Sequence, residues 1–205
     1  RFRSSAPLQT DFSLFFLCPN LVGGKLMMQQ TRNMSAIADI IQRIRDGASR
    51  EKREKILISA CLMGEACRYD GGHNYKQIVE KIKTMGDIIS FCPEEAGGLS
   101  TPRTPAERCG LRVITADGDD VTEAFKKGAK QAAALAIQED CCLAIMKSKS
   151  PSCGSGTIYD GTFTHTLRSG DGVTVEALRA VGIEVITEAE AAIYFTDTHD
   201  THQRK

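Results

Sequence analysis

Three cysteines stand just past short apolar runs: Cys61 in SACLMGEACRYDGG, Cys92 in SFCPEEAGGLSTPR and Cys153 in SPSCGSG. An ordinary free cysteine behaves as a small hydrophobe inside a core, whereas these thiols sit among residues that make turns. Gly64, Gly71 and Gly72, Gly97 and Gly98, and Gly154 and Gly156 accompany them, and glycine lets a backbone approach a bulky ligand closely. Pro93 and Pro151 stiffen two of the loops. A stiff, thiol-bearing pocket suits a metal centre. Soft thiolates select zinc, copper(I) or iron–sulfur clusters. Structural zinc sites usually pair their ligands a few residues apart, and no C-x-x-C occurs here; Cys61 and Cys67 are six apart. An iron–sulfur cluster can bridge thiols on separate loops, and three ligands instead of four would leave one iron open to substrate. Two other readings of the same cysteines stand beside it: a zinc–thiolate hydrolase, and a non-catalytic iron–sulfur module that senses oxygen or passes electrons.

Those thiols meet only if the intervening elements bring their loops together. The apolar runs 56–58, 88–91, 142–146 and 183–186 read as buried strands, with 111–115 as a further candidate. Helices are expected at 75–85, 123–138, 173–181 and 189–195, and Asp120 and Thr122 offer caps for the alanine-rich one. Before them, Ile37, Ile40, Ile41 and Ile44 form the apolar stripe of an amphipathic helix from Ser35 that Gly47 stops. Nearly all-apolar strands alternating with helices predict an α/β fold, a three-layer α/β/α sandwich with a mainly parallel sheet. In such a sheet the carboxyl ends of the strands share one edge, where ligands bind, so topology would gather Cys61, Cys92 and Cys153. Cys141 and Cys142 begin a strand and read as core. Cys109 follows a loop without an evident partner, and Cys18 lies in an N-terminal stretch of different character. Cys67, loop-borne and near Cys61, is the rival for a ligand role.

The 205 residues suffice for one sizeable core. Charge is balanced at 26 basic and 26 acidic residues, so no global field advertises nucleic acid or an anionic membrane. No apolar run approaches the ~18 residues that a membrane-spanning helix needs. Eight cysteines in a chain long enough to do without disulfide stapling read as reduced thiols, which places the protein in the cytoplasm. Residues 1–33 carry one acidic residue, Asp11, and read as a leader or non-native extension, poorly ordered or peripheral. Residues 34–54 then supply a helix and connector, 55–195 the globular domain, and 196–205 a tail.

The blocks SACLMGEACRYDGG, CPEEAGGLSTPRTPAE, DGDDVTEAFKKGA, KSKSPSCGSGTIYDGTF and GDGVTVEALRAVGIEVITE together resemble the bacterial family labelled domain of unknown function 523 (DUF523). Its characterised members are thiouracil desulfidases, and the resemblance spans about residues 55–188. It implies a 4Fe–4S cluster held by Cys61, Cys92 and Cys153, with one iron open to the sulfur of a thiolated pyrimidine. It also implies catalytic roles for Glu94 of CPE and Ser150 of SPSC. Relatives with an added C-terminal domain are linked to thiolated RNA nucleosides; this chain resembles the stand-alone type. On composition alone, Glu94 beside Glu95 reads equally as two solvated carboxylates, and Ser150 before a proline as a turn residue. Arg68 and Arg103 are candidates to grip a carbonyl or phosphate, though exposed arginines usually just face water. His73 is a loop histidine with no evident partner.

Overall fold

A computed structural model of the chain describes residues 22–47 and 52–196, with side chains from residue 34 onward. Residues 1–21 and 197–205, Cys18 among them, lie outside the described residues. In chain order the first elements are α1 (Val22–Asp46), β1 (Lys55–Ser59), a 3-10 turn (Ala60–Met63), α2 (Ile78–Met85) and β2 (Asp87–Phe91). Next come α3 (Pro93–Ala96), β3 (Ala106–Cys109), β4 (Arg112–Thr115), α4 (Thr122–Gln138) and β5 (Cys141–Met146). The last are β6 (Thr157–Tyr159), β7 (Leu167–Ser169), α5 (Val173–Ala180), β8 (Glu184–Thr187) and α6 (Glu188–Phe195).

Four of these strands pair in parallel in the order β2-β1-β5-β8. Alternate residues of each strand feed opposite layers, as the period of two requires. Ile56, Ile58, Leu143, Ile145 and Ile186 pack with Ile37, Ile41 and Ile44 of α1, Ile82 of α2, and Ala191 and Phe195 of α6. Leu57, Ala144, Met146 and Val185 face the other way, toward Ala136 of α4 and Val175 and Leu178 of α5. A strand buried on both faces must be apolar at every position, which is why these runs were visible as runs. The fold is the expected α/β sandwich.

The structure adds detail to the sequence reading at three places. Helix α1 begins at Val22, well before the apolar stripe that marks its buried face. The candidate run 111–115 is a strand, but outside the parallel sheet: Arg112–Thr115 pairs antiparallel with Ala106–Cys109 in a two-stranded sheet, closed by Gly110 at φ +62° and an exposed Leu111. Its burial alternates, with Arg112 exposed, Val113 buried and Thr115 buried, the signature of a strand with one wet face. A second hairpin, β6–β7, was not anticipated.

Two glycines set how closely the layers approach. A Cβ on Gly128 of α4 would lie 1.7 Å from the Pro93 carbonyl oxygen, so α4 and the turn carrying Cys92 and Glu94 meet backbone to backbone. A Cβ on Gly172 would lie 2.2 Å from the carbonyl oxygen of Ser152, which holds the start of α5 against the Cys153 loop. Where β8 passes into α6, Thr187 and Glu190 form a capping box: Thr187 Oγ1 accepts from Glu190 N at 3.2 Å, and Glu190 Oε2 accepts from Thr187 N at 2.7 Å.

Candidate functional site

The chain leaves β1 toward β2 on one side and leaves β5 toward β8 on the other, so the strand order reverses between β1 and β5. Crevices open at such a reversal, beyond the carboxyl ends of the strands. Here the crevice is a cavity of about 920 Å³ lined by Cys61, Cys92 and Cys153, and by Glu94 and Ser150. All five residues singled out in the sequence therefore border one space. Cys67 borders it too, and its sulfur lies within 4.8 Å of Cys92 Sγ and a Glu95 carboxylate oxygen. The four thiols are free of disulfides.

Their protonation is set by their neighbours. Cys61 is pushed down to about 7, chiefly by a hydrogen bond from the Cys67 thiol, with Asn74 and the charge of Lys147 acting in the same sense against burial. Cys92 is lowered, again first by Cys67, and then by the Glu95 backbone N–H. Cys67 is raised because it is the partner that keeps its proton between the two. Cys153 is raised by burial, the Ser59 hydroxyl pulling weakly the other way. Thiolate is the ligand form, and a bound cation converts a buried thiol to it outright. The donor chemistry fits a soft, cationic metal group: four thiols border one cavity, and the sulfurs of Cys67 and Cys92 lie within 4.8 Å of one another.

Beside the thiols sits a hydrogen-bonded chain. Arg103, its side chain only 10% exposed, donates from Nε and Nη2 to Glu94 Oε2 at 2.9 and 2.8 Å. It also donates to the carbonyl oxygen of Cys67 at 2.9 Å and to Thr101 Oγ1 at 2.9 Å, so one guanidinium ties the Glu94 turn to the Cys67 loop. Ser150 Oγ accepts from the backbone N–H groups of Ser152 and Cys153 at 3.1 and 3.0 Å. With both lone pairs engaged, its proton turns to Glu94 Oε1, 3.4 Å away.

The loop that bears Ser150 is anchored by residues the sequence reading passed over. Glu188, at the first position of α6 and 8% exposed, accepts from Lys147 Nζ at 2.7 Å, Ser148 N at 2.8 Å and Ser148 Oγ at 2.8 Å. Burial alone would raise this carboxyl, but those donors outweigh it and hold it below its ordinary value of 4.5. A depressed carboxyl stabilises the fold above the unfolded value and loses that contribution as the pH falls through the folded one. Glu188→Gln is therefore expected to lower the melting temperature at neutral pH, with the gap from wild type closing below about pH 4, as a pH series of melting curves will read.

Other candidates fall elsewhere. Arg68 lines the cavity but is engaged by the Asp70 carboxylate, while His73 Nδ1 accepts from Tyr75 N at 3.2 Å in a local turn. Cys141 and Cys142 lie at the other end of the sheet, raised by burial to about 11 and about 12. Cys141 is buried and Cys142 half-buried against α1 and α2, the core role expected of them. Cys109 donates to the Gly161 carbonyl at 3.3 Å, joining the two hairpins.

A parallel α/β sheet with a thiol-lined cavity at its reversal point, and a carboxylate and hydroxyl beside the thiols, defines a class of protein built around a thiolate-bound metal group. The chain belongs to the 2-thiouracil desulfurase family, whose model matches residues 56–190, and it is a thiouracil desulfidase-like enzyme. It is 41% identical over 145 residues to the uncharacterised protein YbbK of Bacillus subtilis (strain 168), covering 66% of this chain and 96% of that one. A solved structure described as a [4Fe-4S]-dependent thiouracil desulfidase, TudS, is 44% identical and superposes with a TM-score of 0.64, covering 69% of this chain and 97% of its own. Among the described residues no helix is long and apolar enough to cross a membrane.

Proposed function

We propose that this chain replaces C=S by C=O in a thiolated pyrimidine, 2-thiouracil being the test substrate, with Cys61, Cys92 and Cys153 holding a 4Fe–4S cluster. The balance is simple: thiocarbonyl plus water gives carbonyl plus hydrogen sulfide, and no electrons change hands. The cluster, when bound, supplies an iron without a protein ligand that takes the substrate sulfur and its developing negative charge. The protein's own groups do the rest. Glu94, fixed by Arg103, accepts a proton from the water that attacks the ring carbon. Ser150, with its hydroxyl proton directed at Glu94 Oε1 and its lone pairs held by the N–H groups of Ser152 and Cys153, orients the carboxylate toward the attacking water. Arg103 is a positioning residue: it holds Glu94 and the Cys67 carbonyl at a fixed separation. The observation that carries this reading is the junction of Glu94 and Ser150 at the edge of the thiol group.

The test is anaerobic. The purified protein is expected to be brown, with broad absorption, and to convert 2-thiouracil to uracil with an equal amount of sulfide. A colourless zinc protein, or a brown one that releases no sulfide, would overturn the proposal. Cysteine variants test the ligand set. Serine at position 61, 92 or 153 is expected to abolish iron binding, since a thiolate ligand to the cluster is lost in each case. Cys67→Ser is expected to retain the full iron content, because the proposed ligands are Cys61, Cys92 and Cys153; loss of iron in this variant would put Cys67, whose sulfur lies within 4.8 Å of Cys92 Sγ, in the ligand set. Iron and acid-labile sulfide analysis gives the answer.

A further inference from the structure

The thiols and Glu94 address the reacting sulfur and carbon, but nothing in that set grips a flat ring. Another part of the cavity lining does. Residues 160–166 form the tip of the β6–β7 hairpin, and Tyr159, Phe163 and His165 from this hairpin border the cavity. The tip alternates. Thr162, Thr164 and Thr166 spend their hydroxyls on one another at 2.7 and 2.8 Å, with Thr162 also bonded to Asp160. The residues between them, Phe163 and His165, take left-handed backbone conformations at φ +58° and +62°. Such angles are disfavoured for side chains of this size and persist only where surroundings enforce them.

The enforcement is visible. Glu107 of β3, 8% exposed, accepts from the backbone N–H groups of Gly161 and Phe163, both at 3.0 Å. A buried carboxylate is thus committed to fixing two amides at the hairpin tip. Phe163, held this way, remains 36% exposed with the cavity before it, while His165 rests edge-on to Tyr159 at 6.2 Å between centroids. An aromatic side chain on a fixed backbone, partly exposed at the cavity wall, offers a face to a planar partner.

We infer that Phe163 is the stacking surface for the heterocycle of the substrate, with His165, braced on Tyr159, closing its edge, so that the hairpin tip selects planar thiolated rings. The inference rests on the desulfidase reading and deepens it by naming the residues that recognise the ring. Its test separates the two. Phe163→Ala and Phe163→Trp are prepared anaerobically and compared with wild type for iron content, for kcat and KM with 2-thiouracil, and for uracil binding by equilibrium dialysis. Loss of one base-stacking platform is expected to weaken uracil binding and raise KM about 10-fold or more in Phe163→Ala, with Phe163→Trp staying within about threefold of wild type. Iron content should be unchanged in both, which excludes misfolding as the cause. An alanine variant with wild-type KM and wild-type uracil affinity overturns the inference, as does a wild-type protein that binds no uracil. If loaded wild type binds uracil but releases no sulfide from 2-thiouracil, the activity reading falls alone, and the dialysis still decides the role of Phe163.

Discussion

Glu94→Gln is expected to lower the rate of sulfide release about 100- to 10,000-fold while leaving the iron content and visible absorption of the protein unchanged. Glutamine keeps the shape and can still accept from Arg103, whose Nε lies 2.9 Å from the present carboxylate. It cannot take up a proton from water. The loss should fall on kcat, because Glu94 is asked to act on the attacking water and not to hold the ring. Single-turnover measurement with 2-thiouracil distinguishes this from a binding defect. Ser150→Ala should follow with a smaller loss, and it also strips a hydrogen-bond acceptor from the N–H groups of Ser152 and Cys153. A wild-type rate in Glu94→Gln would remove the carboxylate from the chemistry.

The second large effect concerns a residue that touches no substrate. Gly128→Ala improves intrinsic helix propensity by about 1 kcal/mol, and on an open helix face it would stabilise the protein. Here the added methyl would overlap the Pro93 carbonyl at 1.7 Å, and backbone cannot yield as a flexible side chain can. The overpacking is expected to cost about 3 kcal/mol, which outweighs the propensity gain. Relief requires the 93–97 turn to move off α4, and Cys92 and Glu94 move with it. Iron content should therefore drop together with the unfolding midpoint. Lys130→Ala, exposed on the same helix, serves as the control and should stay within about 0.5 kcal/mol of wild type. Chemical denaturation and iron analysis of both variants check the pair.

The four sheet strands were readable because each is apolar on both faces, as the packing of Ile58 one way and Leu57 the other makes plain. That Cys61, Cys92 and Cys153 line one cavity followed from that parallel arrangement, whereas the close approach of Cys67 to Cys92 did not. Of the two hairpins only β4 showed as a strand candidate, and the composition of the others explains it. Strand β3 is AERC, with Glu107 and Arg108 both buried, Glu107 bonded to tip amides and Arg108 paired with Glu176 at 2.8 Å. Buried charges look like loop in a sequence, since their partners lie dozens of residues away. Arg103 read as surface because nothing in its own segment shows that the turn between it and Glu94 folds back to confine it between that carboxylate and the Cys67 carbonyl. Glu188 carried no signal either: its partners Lys147 and Ser148 are about 40 residues upstream. What a local pattern cannot contain is the identity of a distant counter-charge.

The thiols at the cavity follow β1, β2 and β5, strands that belong to separate crossover units of one sheet. No short peptide segment of this chain therefore brings the proposed ligands together on its own. In a zinc finger the metal drives the chain to fold, because its ligands lie close in sequence. With the proposed ligands the receptacle is complete only after strand pairing is finished, so cluster delivery would be a maturation step performed on an already folded apoprotein. A cell that loses its supply of iron should accumulate this protein as an intact, colourless scaffold awaiting repair, instead of as an unfolded chain marked for degradation.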